Sequence, residues 1–228
     1  MFMNTVNTQV IRELQERHEH IVEPTTFRLY GMQWDLLPDV YAPQLTQGAA
    51  LFIDWLPFPK QGTFCEIGCG TGYISVFANK AGCSKVVATD ISNAAVSNTK
   101  ANAARHDVNI DVRQSDLFEN IDQTEKFDLI FWNSSFVDGD DTAIKTEFDQ
   151  AIFDTGYQAH KQFLTEASQY LNKAGRILLG FSDLGNLAKL TELATEYGLS
   201  INILRAGYAE TQYRGITFQL LEIYNKNV

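Results

Sequence analysis

Glu66-Ile67-Gly68-Cys69-Gly70-Thr71-Gly72 closes the apolar run Thr63-Phe64-Cys65 and opens directly into Tyr73–Ala81, whose apolar spacing is helical. A G-x-G-x-G turn between a strand and a helix removes side chains where backbone N–H groups point outward, so a ligand can come close to the main chain there. The same pattern also serves as a tight turn needing left-handed backbone angles, so its surroundings decide between the two.

Downstream, short apolar runs recur at 85–90 (KVVATD), 110–114 (IDVRQ), 127–132 (FDLIFW) and 176–181 (RILLGF), separated by helical segments. Such alternation predicts an α/β domain with a parallel sheet covered by helices on both faces. The last two strand-like stretches, 199–209 and 213–224, lie too close for a crossover helix and are expected to pair antiparallel or lie apart. The spacing also predicts a helix starting at Tyr157, with Phe163, Leu164, Ala167 and Leu171 along one face.

Upstream, Val10, Leu14, His18 and Ile21 repeat at helical spacing, Glu13 and Arg17 pair four apart, and Pro24 ends the run. Residues 27–41 turn extended and aromatic, with Gly31 as the hairpin turn. Residues 1–43 are therefore read as a helix-and-hairpin cap, able to close as a lid, and 44–228 as the main domain. Thr46 is read as the cap of a helix ending at Pro57.

Lys and Arg total 18 against 28 Asp and Glu, a net charge of −10 without a basic run. That balance predicts no nucleic-acid partner, because phosphate backbones are held by clustered cations. No stretch approaches 18 uninterrupted apolar residues and the start lacks a basic-then-apolar leader, so no membrane partner and a cytoplasmic location are expected. Cys65, Cys69 and Cys83 are read as free thiols, and the four histidines form no ligand spacing with them, so no metal is expected. The oligomeric state is left open.

Two carboxylates mark the same edge of the sheet. Asp90 ends the second strand of the series, 24 residues beyond Glu66, where an acidic side chain takes the hydroxyls of a ribose. Asp116 follows the third strand, where it serves either a ligand or a turn.

In order and spacing, E-I-G-C-G-T-G, T-D-I-S, Q-S-D-L and F-D-L-I-F-W-N resemble the motif set of class I S-adenosylmethionine-dependent methyltransferases, over residues 41 to 182. The resemblance implies a Rossmann-like fold with a seven-stranded, mostly parallel sheet and an antiparallel last strand, and S-adenosylmethionine as cofactor. It places Gly68, Cys69, Gly70 and Gly72 against the methionine part, Glu66 near its amino group and Asp90 on the ribose. Asp116 then meets the adenine amine with Leu117 beside the ring, and Tyr41, Ile91 and Asn133 complete the cofactor-binding set.

Asn133-Ser134-Ser135-Phe136 is similar to the N-P-P-[YF] motif of amino-methylating enzymes, nearest to the HemK-type N-methyltransferases, with two serines in place of two prolines. There the Asn side chain and a neighbouring carbonyl orient the nitrogen, and the aromatic residue packs on the substrate. The serines add hydroxyls where that motif is rigid and apolar. Asn133, Ser134, Ser135, Phe136 and Tyr157 are the candidate catalytic residues, Tyr157 through a ring facing the sulfonium. The acidic run Asp138-Gly139-Asp140-Asp141 reads as a solvated loop or an attraction for an amine.

These features lead to a methyltransferase acting on a small-molecule substrate at nitrogen. HemK-type modification of a release-factor glutamine is disfavoured by the loss of the double proline and of an obvious protein-recognition domain, and two other readings stay open beside the first. One is cyclisation of S-adenosylmethionine to azetidine-2-carboxylate with release of methylthioadenosine, Ser134 or Ser135 orienting or deprotonating the amine. The other is a non-catalytic S-adenosylmethionine-binding scaffold subunit.

Overall fold

A computed structural model describes residues 5–45, 48–139, 146–210 and 214–226. Thr46, Asp140 and Asp141, to which the sequence assigns a helix cap and an acidic loop, lie outside the described residues.

The chain opens with helix α1 (Thr5–Glu19), hairpin strands β1 (Thr25–Leu29) and β2 (Met32–Leu36), and helix α2 (Gly48–Trp55). The main domain then alternates β3 (Thr63–Ile67), α3 (Tyr73–Lys80), β4 (Lys85–Asp90), α4 (Asn93–Arg105), β5 (Asp111–Gln114) and β6 (Phe127–Asn133). After β6 come α5 (Glu147–Gln150), α6 (Gln158–Glu166), β7 (Leu171–Ser182), α7 (Leu187–Glu196), β8 (Leu199–Ala209) and β9 (Ile216–Asn225).

Seven strands form one sheet in the order β5-β4-β3-β6-β7-β9-β8. β9 runs antiparallel to both of its neighbours, whereas the other pairings are parallel. The central strands are apolar on both faces because helices cover both. Phe64, Leu129, Phe131 and Leu178 enter one core cluster, and their sequence neighbours Cys65, Ile130 and Leu179 enter the other.

One expected boundary moves. Leu171, assigned to the helical stripe, begins β7; the helix ends at Glu166 and a single 3-10 turn, Ala167–Tyr170, separates the two. Tyr157 stands at the N-cap of α6 rather than inside it.

The hairpin turns through Tyr30-Gly31, both at positive φ (51° and 71°), the geometry that matches the twist of a two-residue hairpin. It is fastened to the main domain by buried amides of α4. Asn98 Oδ1 accepts from Leu37 N (2.8 Å) and Asn102 Oδ1 from Asp35 N (2.7 Å). Both amide nitrogens donate to the Asp35 carbonyl. Arg105 adds a bidentate pair to the Asp35 carboxylate, and Trp34 is wholly buried.

α1 buries Val10, Ile11 and Leu14 and reaches the segment after β6. Gln15 Nε2 donates to Asp149 Oδ1 at 2.6 Å, and the His18 ring stacks on Phe148 at 3.4 Å between centroids. His18 Nε2 lies 2.7 Å from the Val40 carbonyl, which only accepts, so that nitrogen carries the proton. Among the described residues no helix is long and apolar enough to cross a membrane, no group of side chains is arranged to hold a metal, and all three cysteines are free and buried.

Candidate active site

In chain order the sheet grows from β3 outward through β4 and β5, then jumps back to place β6 on the other side of β3. At such a reversal the loops leaving the two central strands diverge and open a crevice at their carboxyl ends. Ile67 pairs with Trp132 there, which sets the glycine loop beside the Asn133 segment. A cavity of about 690 Å³ occupies the crevice.

Its first wall is the glycine loop. Gly68, Gly70 and Gly72 have φ of 65°, 54° and 78°, backbone angles that side chains disfavour. A Cβ on Gly70 would meet nothing within 4 Å, whereas one on Gly68 would come 3.2 Å from Trp132 Nε1. Gly72 differs: its Cβ would strike Thr99 Cγ2 at 2.7 Å, and it does not line the cavity. Its expected place against a ligand is therefore corrected to a packing role, letting the start of α3 approach α4.

Glu66 is buried at the floor and accepts from the Ser75 hydroxyl. Burial pushes its carboxyl up to about 8. Asp90 accepts from Gly70 N at 2.9 Å through Oδ2 and from Ser92 N at 3.0 Å through Oδ1. Those bonds pull against burial, which still leaves its carboxyl above the ordinary range. Asp116 and Ile91 are exposed at the rim, Leu117 is buried at a positive φ of 43°, and Tyr41 enters from the cap side.

The opposite wall follows β6. Asn133, Ser134, Ser135 and Phe136 all line the cavity, and Asn133 Oδ1 is buried without a hydrogen-bond partner. Both serine hydroxyls are committed as donors, Ser134 Oγ to Gly180 O (2.9 Å) and Ser135 Oγ to Gln150 O (2.6 Å). Tyr157 is the second correction. Its ring is wholly buried and does not line the cavity. Its hydroxyl donates to Phe136 O (2.9 Å) and accepts from Asn186 N (2.7 Å). It braces the loop from behind, and Lys189 Nζ sits over its ring, 5.3 Å from the centroid.

Several wall residues escaped the sequence reading. Trp132 sits at the seam between the two walls. Thr71 and Thr155 line the cavity with buried hydroxyls that have no protein partner. Asp154, also on the wall, accepts from Ala159 N, His160 N and the His160 ring Nδ1, 2.6 Å away. These bonds to the charged form hold the Asp154 carboxyl low against burial, while burial holds His160 low and hence neutral.

The open cradle at Gly70, the unpaired Thr71 hydroxyl and two carboxylates at successive strand ends suit an extended ligand carrying both an amine and a ribose. Residues 36–195 match the sequence model of the methyltransferase small domain. The chain belongs to that family. A chain from Methanocaldococcus jannaschii, named for N5-glutamine methylation of protein, is 34% identical over 157 residues, covering 68% of this methyltransferase and 78% of the relative. Ribosomal RNA small subunit methyltransferase C of Haemophilus influenzae is 30% identical over 143 residues, 62% of this chain and 39% of that one. Among solved structures, the T. thermophilus 16S rRNA N2 G1207 methyltransferase, in complex with AdoMet and guanosine, superposes with a TM-score of 0.60 at 17% identity, covering 90% of this chain and 50% of that chain.

As a member of this methyltransferase family the chain uses S-adenosylmethionine, and the glycine loop, Glu66, Asp90 and Asn133 that would hold it line one cavity. The expected partners are corrected. A small-molecule substrate and the exclusion of nucleic acid rested on net charge and the cap, yet the relatives are named for acting on protein glutamine and on ribosomal RNA. Net charge averages over a whole surface, whereas recognition is decided by the local field at one face.

Proposed function

We propose that this methyltransferase methylates a planar side-chain nitrogen of a macromolecular acceptor, a protein glutamine amide first of all. The observation that carries this reading is Asn133 Oδ1, a buried acceptor with no protein partner at the reacting end of the cavity. An unsatisfied buried acceptor costs about 1–3 kcal/mol, which an N–H from the acceptor would remove. The 34% identity to the relative named for glutamine methylation supports the same choice.

S-adenosylmethionine supplies an electrophilic methyl carbon on a positively charged sulfur that is its own leaving group. The protein's work is alignment and exclusion of water. Gly68, Cys69 and Gly70 would hold the methionine part, with Glu66 available to its amine. Asp90 takes the ribose hydroxyls, and Asp116, Leu117, Ile91 and Tyr41 surround the remainder. Asn133 would accept one amide N–H and orient the nitrogen for transfer, the other N–H proton passing to solvent as the N–C bond forms and the C–S bond breaks, while Phe136 would pack on the acceptor. Ser134 keeps the turn in place through its bond to Gly180 O, and Ile11, Leu14, Asp39 and Val40 cap the site. Asn133→Ala should lower kcat by about a hundredfold or more while the Kd for S-adenosylmethionine stays within about threefold. A matching loss of cofactor affinity would remove Asn133 from the acceptor role.

A second reading is favoured by one feature: the cap contributes Ile11, Leu14, Asp39 and Val40 to the same cavity as Asn133. A site roofed in this way suits a reaction that admits no acceptor, with Asn133 and the lone pairs of Ser134 Oγ orienting the cofactor's own amine toward its γ-carbon. The product would then be azetidine-2-carboxylate with methylthioadenosine. With both serine protons donated to carbonyls, the serines orient the amine and do not deprotonate it.

A further inference from the structure

Between α5 and α6 the chain passes through two successive left-handed residues, Gly156 and Tyr157, with φ of 67° and 59°. An aromatic side chain disfavours that conformation, so it persists only where the surroundings over-determine it. Gly156 N donates to Asp138 Oδ1 (2.9 Å), and Lys189 Nζ holds the other oxygen of that carboxylate at 2.7 Å. Asp154 N donates to Val137 O (2.9 Å) and the Tyr157 hydroxyl to Phe136 O (2.9 Å). The Asp154 carboxylate accepts from Ala159 N and His160 N at the start of α6.

Within this braced turn one polar group is left over. Thr155 lines the cavity, and its hydroxyl is buried with no protein partner. The bonds to Phe136, Val137 and Asp138 tie the turn to the residues that continue directly from Asn133-Ser134-Ser135, which sets Thr155 on the acceptor wall. Asn133 Oδ1 can only accept, whereas a threonine hydroxyl can donate. A primary carboxamide presents the complementary pair, N–H groups on one side and a carbonyl oxygen on the other. An alkylamine has no carbonyl and would leave the hydroxyl buried and unsatisfied.

We propose that Thr155 determines acceptor specificity, its hydroxyl donating to the carbonyl oxygen of the amide whose N–H meets Asn133. This rests on the reading of the acceptor as a glutamine side chain and supplies the contact that selects an amide over an amine. Because Thr155 Oγ1 bonds nothing in the protein, Thr155→Val removes the contact without breaking a protein hydrogen bond, and the variant should melt no lower than the parent.

Propionamide, which reproduces the end of a glutamine side chain, is the probe, titrated by NMR into the full chain saturated with S-adenosylhomocysteine, with propylamine as the control that lacks the carbonyl. The expected result is saturable propionamide binding, weakened about three- to tenfold by Thr155→Val and restored to within about twofold of the parent by Thr155→Ser. Propylamine binding should not respond to Thr155→Val, and the Kd for S-adenosylhomocysteine should stay within about twofold. Propionamide binding that weakens with Asn133→Ala but not with Thr155→Val would overturn the role of Thr155 and leave the amide reading standing. Propionamide that does not bind, or binds without regard to Asn133, would overturn both. A loss of about tenfold in S-adenosylhomocysteine affinity with Thr155→Val would assign the hydroxyl to the cofactor and also overturn the proposal.

Discussion

Ser134 donates both its backbone N–H (3.2 Å) and its hydroxyl (2.9 Å) to the carbonyl oxygen of Gly180. A proline at this position has no N–H to give. The two serines therefore secure the turn after β6 by polar bonds, Ser134 to β7 and Ser135 to the end of α5, where an N-P-P-[YF] turn relies on ring rigidity.

Ser134→Ala should remove the hydroxyl bond and lower stability by about 1 kcal/mol. In a chain of this size that is a fall in Tm of about 2–4 °C, read by thermal melting. Affinity for S-adenosylmethionine should stay unchanged, because the lost bond ties two segments of the protein together.

Gly180→Ala probes Asn133 without altering it. A Cβ at 180 would lie 2.8 Å from Asn133 Oδ1 and 2.9 Å from Phe52 Cζ, closer than packed atoms allow. Turnover should fall more than about tenfold through displacement of the Asn133 side chain, with a stability loss of about 1–3 kcal/mol. Kd for the cofactor, measured alongside kcat, should move little.

Glu66 gives the apo protein a pH dependence of known sign. Its folded-state carboxyl, at about 8, lies above the ordinary 4.5. Between those values the folded state holds a proton that the unfolded chain has lost, so stability falls as pH rises from 4.5 to 8. Glu66→Gln removes that slope. Without ligand it should be more stable than the parent at pH 9, by up to a few kcal/mol, and about equal at pH 5, as read by urea unfolding at both values.

Asn102 couples the hairpin to the glycine loop, since its Nδ2 donates to both Asp35 O (2.9 Å) and Thr71 O (2.8 Å) while its Oδ1 accepts from Asp35 N. Asn102→Ala should lower stability by about 3 kcal/mol, because buried backbone groups lose their partners. Amide hydrogen exchange should accelerate at residues 69–72 as well as in the hairpin, whereas a purely local effect would spare the loop.

The strands and the glycine loop were legible in the sequence because their signals are local. β4 and β8 match their apolar runs end to end, and the loop's role follows from its place between a strand and a helix. Gly72 and Tyr157 were misread for the same reason. Gly72 faces Thr99 on α4 and the Tyr157 ring turns behind the loop, and neither direction follows from distance along the chain. Asp154 and His160, six residues apart, give no motif; only the turn before α6 brings their side chains to 2.6 Å. The acceptor class was misjudged because net charge was made to stand for a local surface.

The most direct test of nitrogen methylation on a macromolecule is mass spectrometry of the full chain incubated with S-adenosylmethionine, with and without ribosomal and release-factor protein fractions. The reading predicts S-adenosylhomocysteine in step with a new methyl group on a protein glutamine, only when the fractions are present and not with Asn133→Ala. Enzyme-dependent methylthioadenosine from S-adenosylmethionine alone, with a matching cyclic amino acid and no methylated acceptor, would contradict it.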